Sequence, residues 1–254
     1  RAQTLFKALN HHNGLPPLER AMASELFGVP LRGSVSRLES FAECAFKHFA
    51  RYGLRLNERP RFVLDAAQTG TFVHAALKLF VERLNDDAGD WATLTDEEAA
   101  ARADRCVDDL IPQLGNEVLL TSARHAFLAE VMRRSVRRAV WLLTEHARRG
   151  KFRPVHVELT FGRGGVESLV LPLADGGELR LSGQIDRIDI ADDEEGRWVR
   201  IIDYKSSRRD LNIAEVAHGL SLQLPLYLAV VLELAERGQL LGGPVRPAAI
   251  VYFP

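Results

Sequence analysis

The chain has 254 residues, of which 46% are hydrophobic and 26% charged, with 33 lysines and arginines against 34 aspartates and glutamates. That composition suits one large globular domain, or two smaller ones, with a substantial core, and it excludes a disordered chain. A net charge of -1 gives no overall attraction to nucleic acid, so any such contact must use local patches.

No window approaches the run of about 20 apolar residues that crosses a bilayer, and the start lacks the pattern of a secretory signal. A cytoplasmic protein with no membrane partner is expected. The two cysteines, Cys44 and Cys106, predict neither a disulfide framework nor a zinc site, because only the isolated Cys44 and His48 pair has ligand-like spacing. The chain opens on Arg1 and stops at Pro254 directly after an apolar run, so it is expected to be a piece of a longer polypeptide.

In chain order, "PLERAMASELFG" (Pro17 to Gly28) predicts a helix with proline near its start and glycine near its stop. "SVSRLESFAECAFKHFARYGL" predicts a second, with Leu38, Phe41, Ala42, Ala45, Phe46 and Phe49 at helical spacing behind serine caps. "QTGTFVHAALKLFVERLND" places Val73, Leu77, Phe80 and Leu84 on one face. "TDEEAAARADRCVDDLIPQL" carries an acidic N-terminal capping pattern, and a long helix from "SARHAF" ends at Gly150.

Beyond Gly150 the period shortens to that of strands. "RPVHVELTFG", "ESLVLPL", "ELRLSGQIDRIDIA" and "RWVRIIDYKSS" are separated by turn-like segments and predict a meander of antiparallel hairpins. "IAEVAHGLSLQLPLYLAVVLELAERG" then predicts one long helix interrupted at Pro225, and "RPAAIVYFP" a last strand.

Chemistry concentrates in "VRIIDYKSS". Side chains two apart on a strand share a face, about 6 to 7 Å between their Cα atoms, so Asp203 and Lys205 look toward one region. The acidic turn "DDEEG" makes "GQIDRID" the hairpin neighbour, and Asp186 then shares that face, subject to register. Two facing carboxylates repel unless a proton or cation lies between them, and a hard divalent ion suits oxygen ligands. Mg²⁺ is the natural candidate, with Lys205 beside it to stabilise charge developing on a phosphate. A partly solvated ion pair between Asp203 and Lys205 is the competing reading. His74 and Gln223 are open to structural readings as well, Gln223 as a polar residue that satisfies a backbone group in an apolar helix.

Together these segments resemble the RecB-like branch of the PD-(D/E)XK nuclease superfamily. The pieces occur in the family's order: "GTFVHAAL", "GQIDRID", "IIDYKSS" and "QLPLY". The resemblance implies an α/β, restriction-endonuclease-like core, a central mixed sheet flanked by helices, behind a mainly helical N-terminal region. On that reading residues 1–66 are a helical lead-in, and 67–254 the nuclease core with a helical insertion at about 88–150. It further implies that His74, Asp186 and Asp203 bind the metal, Mg²⁺ or Mn²⁺, with the Tyr204 carbonyl as an additional ligand. Lys205 would be the catalytic lysine, with Gln223 and Tyr227 supporting the site or contacting DNA.

The segment "SVSRLESFAECAFKHFARYGLRL" is similar to the one preceding the nuclease core in the AddB subunits of AddAB helicase-nucleases. Members of that pattern hold an iron-sulfur cluster through one cysteine here and three downstream. Cys44 matches the first, although Ala45 follows it where the family usually has proline, and Cys106 matches none. Either the three downstream ligands lie in the rest of a parent chain or the protein has lost the cluster, so a [4Fe-4S] cluster is possible only in an intact parent chain and is not expected in this one. No G-x-x-x-x-G-K-[ST] occurs, so any motor activity is expected in another region or in a partner subunit, which the resemblance implies is an AddA-like helicase. The basic runs Arg133, Arg134, Arg137, Arg138 and "RRGKFR" offer DNA contacts or merely solvated faces.

The expected function is therefore a Mg²⁺-dependent deoxyribonuclease domain of a recombination and repair helicase-nuclease, acting on single-stranded DNA as an exonuclease rather than an endonuclease. Two other readings stand beside it: an inactive DNA-binding or structural module of the same fold, and a free-standing RecB-type nuclease.

Overall fold

The structure is a computed structural model that describes residues 18–56, 66–87, 89–114, 123–174, 176–205 and 209–253. Helix α1 (Arg20–Phe27) leads into a short strand, β1 (Leu31–Ser34), which the helical reading of this region did not anticipate. Ser34 then caps α2 (Val35–Glu43) by accepting a hydrogen bond from the Arg37 amide. Pro17 lies outside the described residues.

The single helix expected after Ser34 is two. Cys44 is extended, with φ -163° and ψ 112°, and separates α2 from α3 (Ala45–His48), which continues as a π-helical turn at Phe49–Gly53. The break is one that tertiary packing stabilises, because the His48 ring contacts Phe27, Phe41 and Tyr52 and its Nε2 accepts from Arg37 Nε.

Three long helices follow: α4 (Ala66–Asp86), α5 (Asp96–Leu110) and α6 (Ala123–Arg149). Thr95 and Glu98 form a reciprocal capping box at the start of α5, satisfying two amides that a helix terminus leaves without intrahelical partners. Phe72, Ala76, Leu77, Phe80 and Leu84 of α4 bury their stripe against Cys106 and Val107 of α5 and Met132, Val136, Val140 and Leu143 of α6.

The mixed six-stranded sheet contains β1, β2 (Arg153–Phe161), β3 (Leu169–Pro172), β4 (Glu178–Asp193), β5 (Gly196–Tyr204) and β6 (Arg246–Phe253). It is not a simple meander. β2 and β3 both pair antiparallel with β4, one after the other along its length, with Phe161 opposite Gly183 and Leu169 opposite Leu181. β1 lies parallel to β4, β5 is its antiparallel hairpin partner, and β6 runs parallel to β5. Long β4 is thus the strand on which the N-terminal β1–α2 segment and the "GQIDRID" and "IIDYK" segments meet.

One face of the sheet, through Ile202, Tyr204 and Phe253, packs on the α4–α6 layer. The other, through Ile185, Ile188, Val199 and Ile201, packs on Val35 of α2 and on α8 (Gln223–Glu236). The long helix expected around Pro225 is in fact α7 (Ile213–Ala217) and α8, and the break falls at 218–222. Pro225 is the third residue of α8, within the first turn, where an amide has no intrahelical acceptor, so it starts the helix instead of interrupting it.

Candidate active site

The hairpin β4–β5 carries the two aspartates. Its last ladder pair is Arg187 with Ile202, and the same register one residue further sets Asp186 opposite Asp203. Both are buried. Asp203 and Lys205 lie at the C-terminal end of β5, where the Lys205 amide donates to the Phe253 carbonyl of β6 and ties the two parallel strands together.

Lys205 Nζ stands 2.5 Å from Asp203 Oδ2 and donates to Gln223 Oε1 at 2.9 Å. Gln223 Nε2 in turn donates to Asp203 Oδ1 at 2.5 Å, so the three residues close a ring of interactions. The Asp203 side chain is 1% exposed and that of Lys205 22%, which leaves the ammonium within reach of a ligand while its carboxylate partner is buried. Tyr227, one turn along α8 from Gln223, has its phenol pushed up to about 12 by burial. Its ring meets Phe161 edge-on at 6.0 Å. A Cβ at Gly183 would come within 2.9 Å of that Phe161 ring, so the glycine of "GQIDRID" is needed for the close approach.

His74 comes from α4, on the opposite side of the sheet from α8. Its Nε2 is 3.0 Å from the Tyr204 carbonyl oxygen. A carbonyl can only accept, so Nε2 carries the proton and Nδ1 presents a lone pair. That lone pair faces Asp186 Oδ2 at 3.5 Å and Glu158 Oε1 at 3.8 Å. Burial holds the imidazole below its ordinary pKa, which keeps it neutral and able to act as a ligand.

Glu158 of β2 is the residue that sequence reasoning missed. It sits opposite Asp186, between the ladder pairs Val157 with Arg187 and Leu159 with Ile185. Its backbone has φ 52°, a costly conformation for a side-chain-bearing residue. Glu158 Oε2 accepts from Gln184, whereas Oε1 is buried without a hydrogen-bond partner. A carboxylate in the middle of the alternating strand "VHVELTF" was the available signal.

Burial raises the Glu158 pKa, and burial together with the nearby Asp203 raises that of Asp186 to about 8. The ligand atoms of His74, Glu158 and Asp186 all lie within 4.8 Å of one another. Two carboxyls that resist ionisation, an orphaned oxygen and an imidazole lone pair form a donor set that fits a divalent cation. The Tyr204 amide donates to Asp186 Oδ2 at 2.8 Å and fixes the carboxyl's orientation.

The other acid of "GQIDRID" has a structural place. Asp189 is fully buried between Arg187 Nε and Arg200 Nη2, each 2.5 Å away, and the Arg187 guanidinium lies 5.1 Å from the centre of the Trp91 ring.

Of the basic run, Arg133 and Arg137 donate to Asp108 and Asp104 of α5, Arg134 lies 3.5 Å from Glu130, and Arg138 is exposed. Both cysteines are free. Cys44 is exposed at the break before α3 and Cys106 is buried in the α4–α6 core, so they do not form the four-thiolate set that a cubane cluster takes. Among the described residues, no helix is long and apolar enough to cross a membrane.

A family model described as the PD-(D/E)XK nuclease superfamily matches residues 32–254. The chain is similar to the ATP-dependent helicase/deoxyribonuclease B-subunit of Pelotomaculum thermopropionicum, with 47% identity over 245 residues, covering 96% of this chain and 21% of that protein. The protein of the same name from Bacillus velezensis is 41% identical over 254 residues, covering 100% of this chain and 22% of that protein. That of Bacillus subtilis is 39% identical over the same length and shares. The chain thus spans about a fifth of the length of these relatives.

Proposed function

Because the chain belongs to the PD-(D/E)XK nuclease superfamily, we propose that it is the metal-dependent deoxyribonuclease domain of a helicase-nuclease that processes broken DNA. The observation that carries the reading is the meeting of His74, Glu158 and Asp186 with the Asp203, Lys205 and Gln223 ring at the end of β5. Curated relatives named as helicase/deoxyribonuclease subunits support the wider assignment.

The reaction is phosphodiester hydrolysis: a water oxygen bonds to phosphorus, one P–O bond breaks with its electron pair going to the sugar oxygen, and the proton that the water gives up is balanced by the one that the leaving sugar oxygen takes up to become a hydroxyl. His74, Glu158 and Asp186, with Asp203 and the Tyr204 carbonyl, would hold Mg²⁺ or Mn²⁺. When bound, the ion supplies Lewis acidity toward the phosphate and lowers the pKa of a water.

The chain's own groups supply the rest. Lys205 holds a partly exposed positive charge beside the carboxylates, where it stabilises negative charge developing on the phosphoryl oxygens. Gln223 fixes the directions of both the lysine and Asp203. Tyr227 and Phe161 back that helix turn with apolar surface, limiting water around it. The Tyr204 carbonyl holds the His74 ring so that its lone pair points to the carboxyls.

Within the same proposal the substrate is single-stranded DNA cut in exonuclease mode, delivered by an AddA-like helicase partner in the cytoplasm. Residues 1–66 form a lead-in, 67–254 the nuclease core, and about 88–150 a helical insertion. Arg133, Arg134, Arg137 and Arg138 would track the strand's phosphates, the first three while shared with carboxylates.

Degradation of end-labelled single-stranded DNA with Mg²⁺ or Mn²⁺ tests the assignment. Cutting that is abolished by EDTA and by Asp203→Ala supports it. Saturable metal binding with no cutting at any ion concentration favours the inactive module instead.

A further inference from the structure

Helix α8 begins without a cap of its own. The residue at its N-cap is Leu222, which offers no side-chain acceptor, yet a helix start leaves amides that need partners. The partner comes from a segment 183 residues earlier in the chain. Glu39 Oε1 accepts from the Leu222 amide at 2.7 Å and from the Gln223 amide at 3.2 Å. A carboxylate in that place also meets the positive end of the helix dipole.

We infer that Glu39 is a positioning residue for the nuclease centre, holding the first turn of α8 so that Gln223 bridges Asp203 and Lys205. The inference rests on the nuclease reading above. Gln223 is the first residue of α8, and its amide group works in both directions, accepting from Lys205 and donating to Asp203. Such two-ended bridging fails with a small displacement of the backbone from which the side chain springs.

The route from Glu39 to the rest of the site is short. Glu39 lies in α2, which follows directly from β1, and β1 pairs with residues Leu179 to Ser182 of β4. The same strand bears Asp186 four residues further on. Strand β4 therefore sets Asp186 directly and sets Gln223 through β1, α2 and the Glu39 carboxylate. The lead-in segment thereby acts on catalysis without supplying a group that touches substrate.

The test uses Glu39→Ala, Glu39→Gln, Gln223→Ala and the Glu39→Ala/Gln223→Ala double variant of the full chain, assayed for metal-dependent cutting of single-stranded DNA. Amide exchange at Leu222 and Gln223 is measured alongside. Loss of the carboxylate should lower kcat about tenfold to a hundredfold, with KM for DNA nearly unchanged. Glu39→Gln keeps an oxygen acceptor and should recover most of the rate. The double variant should be no slower than Gln223→Ala, because the two residues act in series. Exchange at both amides should quicken in Glu39→Ala while protection in α4 and α6 stays as in the wild type.

A wild-type kcat in Glu39→Ala, or an equal further loss when it is added to Gln223→Ala, overturns the positioning role alone. No metal-dependent cutting by the wild type overturns the nuclease reading and the positioning role with it.

Discussion

Raising the pH from 6 to 8 should tighten divalent-ion binding about fiftyfold. Burial, with the Asp203 charge nearby, lifts the Asp186 pKa to about 8, so the metal-free carboxyl is protonated at neutral pH. An ion that needs the carboxylate must displace that proton. The ionised fraction is about 1% at pH 6 and about half at pH 8, and their ratio sets the gain, on the order of 2 kcal/mol of binding free energy. Burial also holds the His74 imidazole below its ordinary pKa, which favours its neutral, metal-binding form. Calorimetric titration with Mn²⁺ in two buffers of different ionisation enthalpy reads both the affinity and the proton released, which should approach one per ion near pH 6.5. The same displaced ionisation has a signature without metal. A carboxyl pKa raised above its unfolded value contributes stability that is complete below about pH 4 and is lost as pH rises through 8, about 1.4 kcal/mol per pH unit. Asp186→Asn should remove that slope from the melting temperature. A pH-independent affinity with no proton release, or equal slopes in wild type and Asp186→Asn, would refute the reasoning.

Three further outcomes follow from the geometry. Lys205→Ala should reduce cleavage at least a hundredfold while the far-ultraviolet circular dichroism spectrum stays as in the wild type; cleavage at the wild-type rate would remove Lys205 from the chemistry. Glu158→Gln should weaken Mn²⁺ binding about tenfold or more, read as a smaller metal-induced rise in melting temperature; an undiminished rise would take Glu158 out of the ligand set. Asp189→Ala leaves the Arg187 guanidinium, 1% exposed, without its carboxylate, and should destabilise the fold by about 3 to 5 kcal/mol in urea unfolding. A loss below about 1 kcal/mol would show that the buried network is dispensable.

Much of the site was legible because its signals are local. Alternation in "GQIDRIDIA" and "RWVRIID" around an acidic turn identifies a hairpin, and a hairpin with a short connection fixes its own register, so Asp186 faces Asp203 as a consequence of sequence. The apolar stripe of α4 and the capping box of α5 are likewise properties of neighbouring residues.

What escaped depends on contacts between residues far apart in the chain. The strand β1 forms by pairing with β4, and the α8 start takes its acceptor from Glu39 of α2. Glu158 approaches Asp186 only because β2 pairs with β4 in one register and turns its backbone to φ 52° there. Asp186 and Asp189 read alike in sequence, yet the sheet sets one beside His74 and Glu158 and the other between two arginines. The sequence by itself determined the hairpin, the helical layer and the residue types for phosphodiester chemistry, since periodicity and turn signals act over a few residues. Which carboxylates converge, and which helix terminus Glu39 holds, were decided by the tertiary structure, since strand register and packing join segments that no local pattern connects.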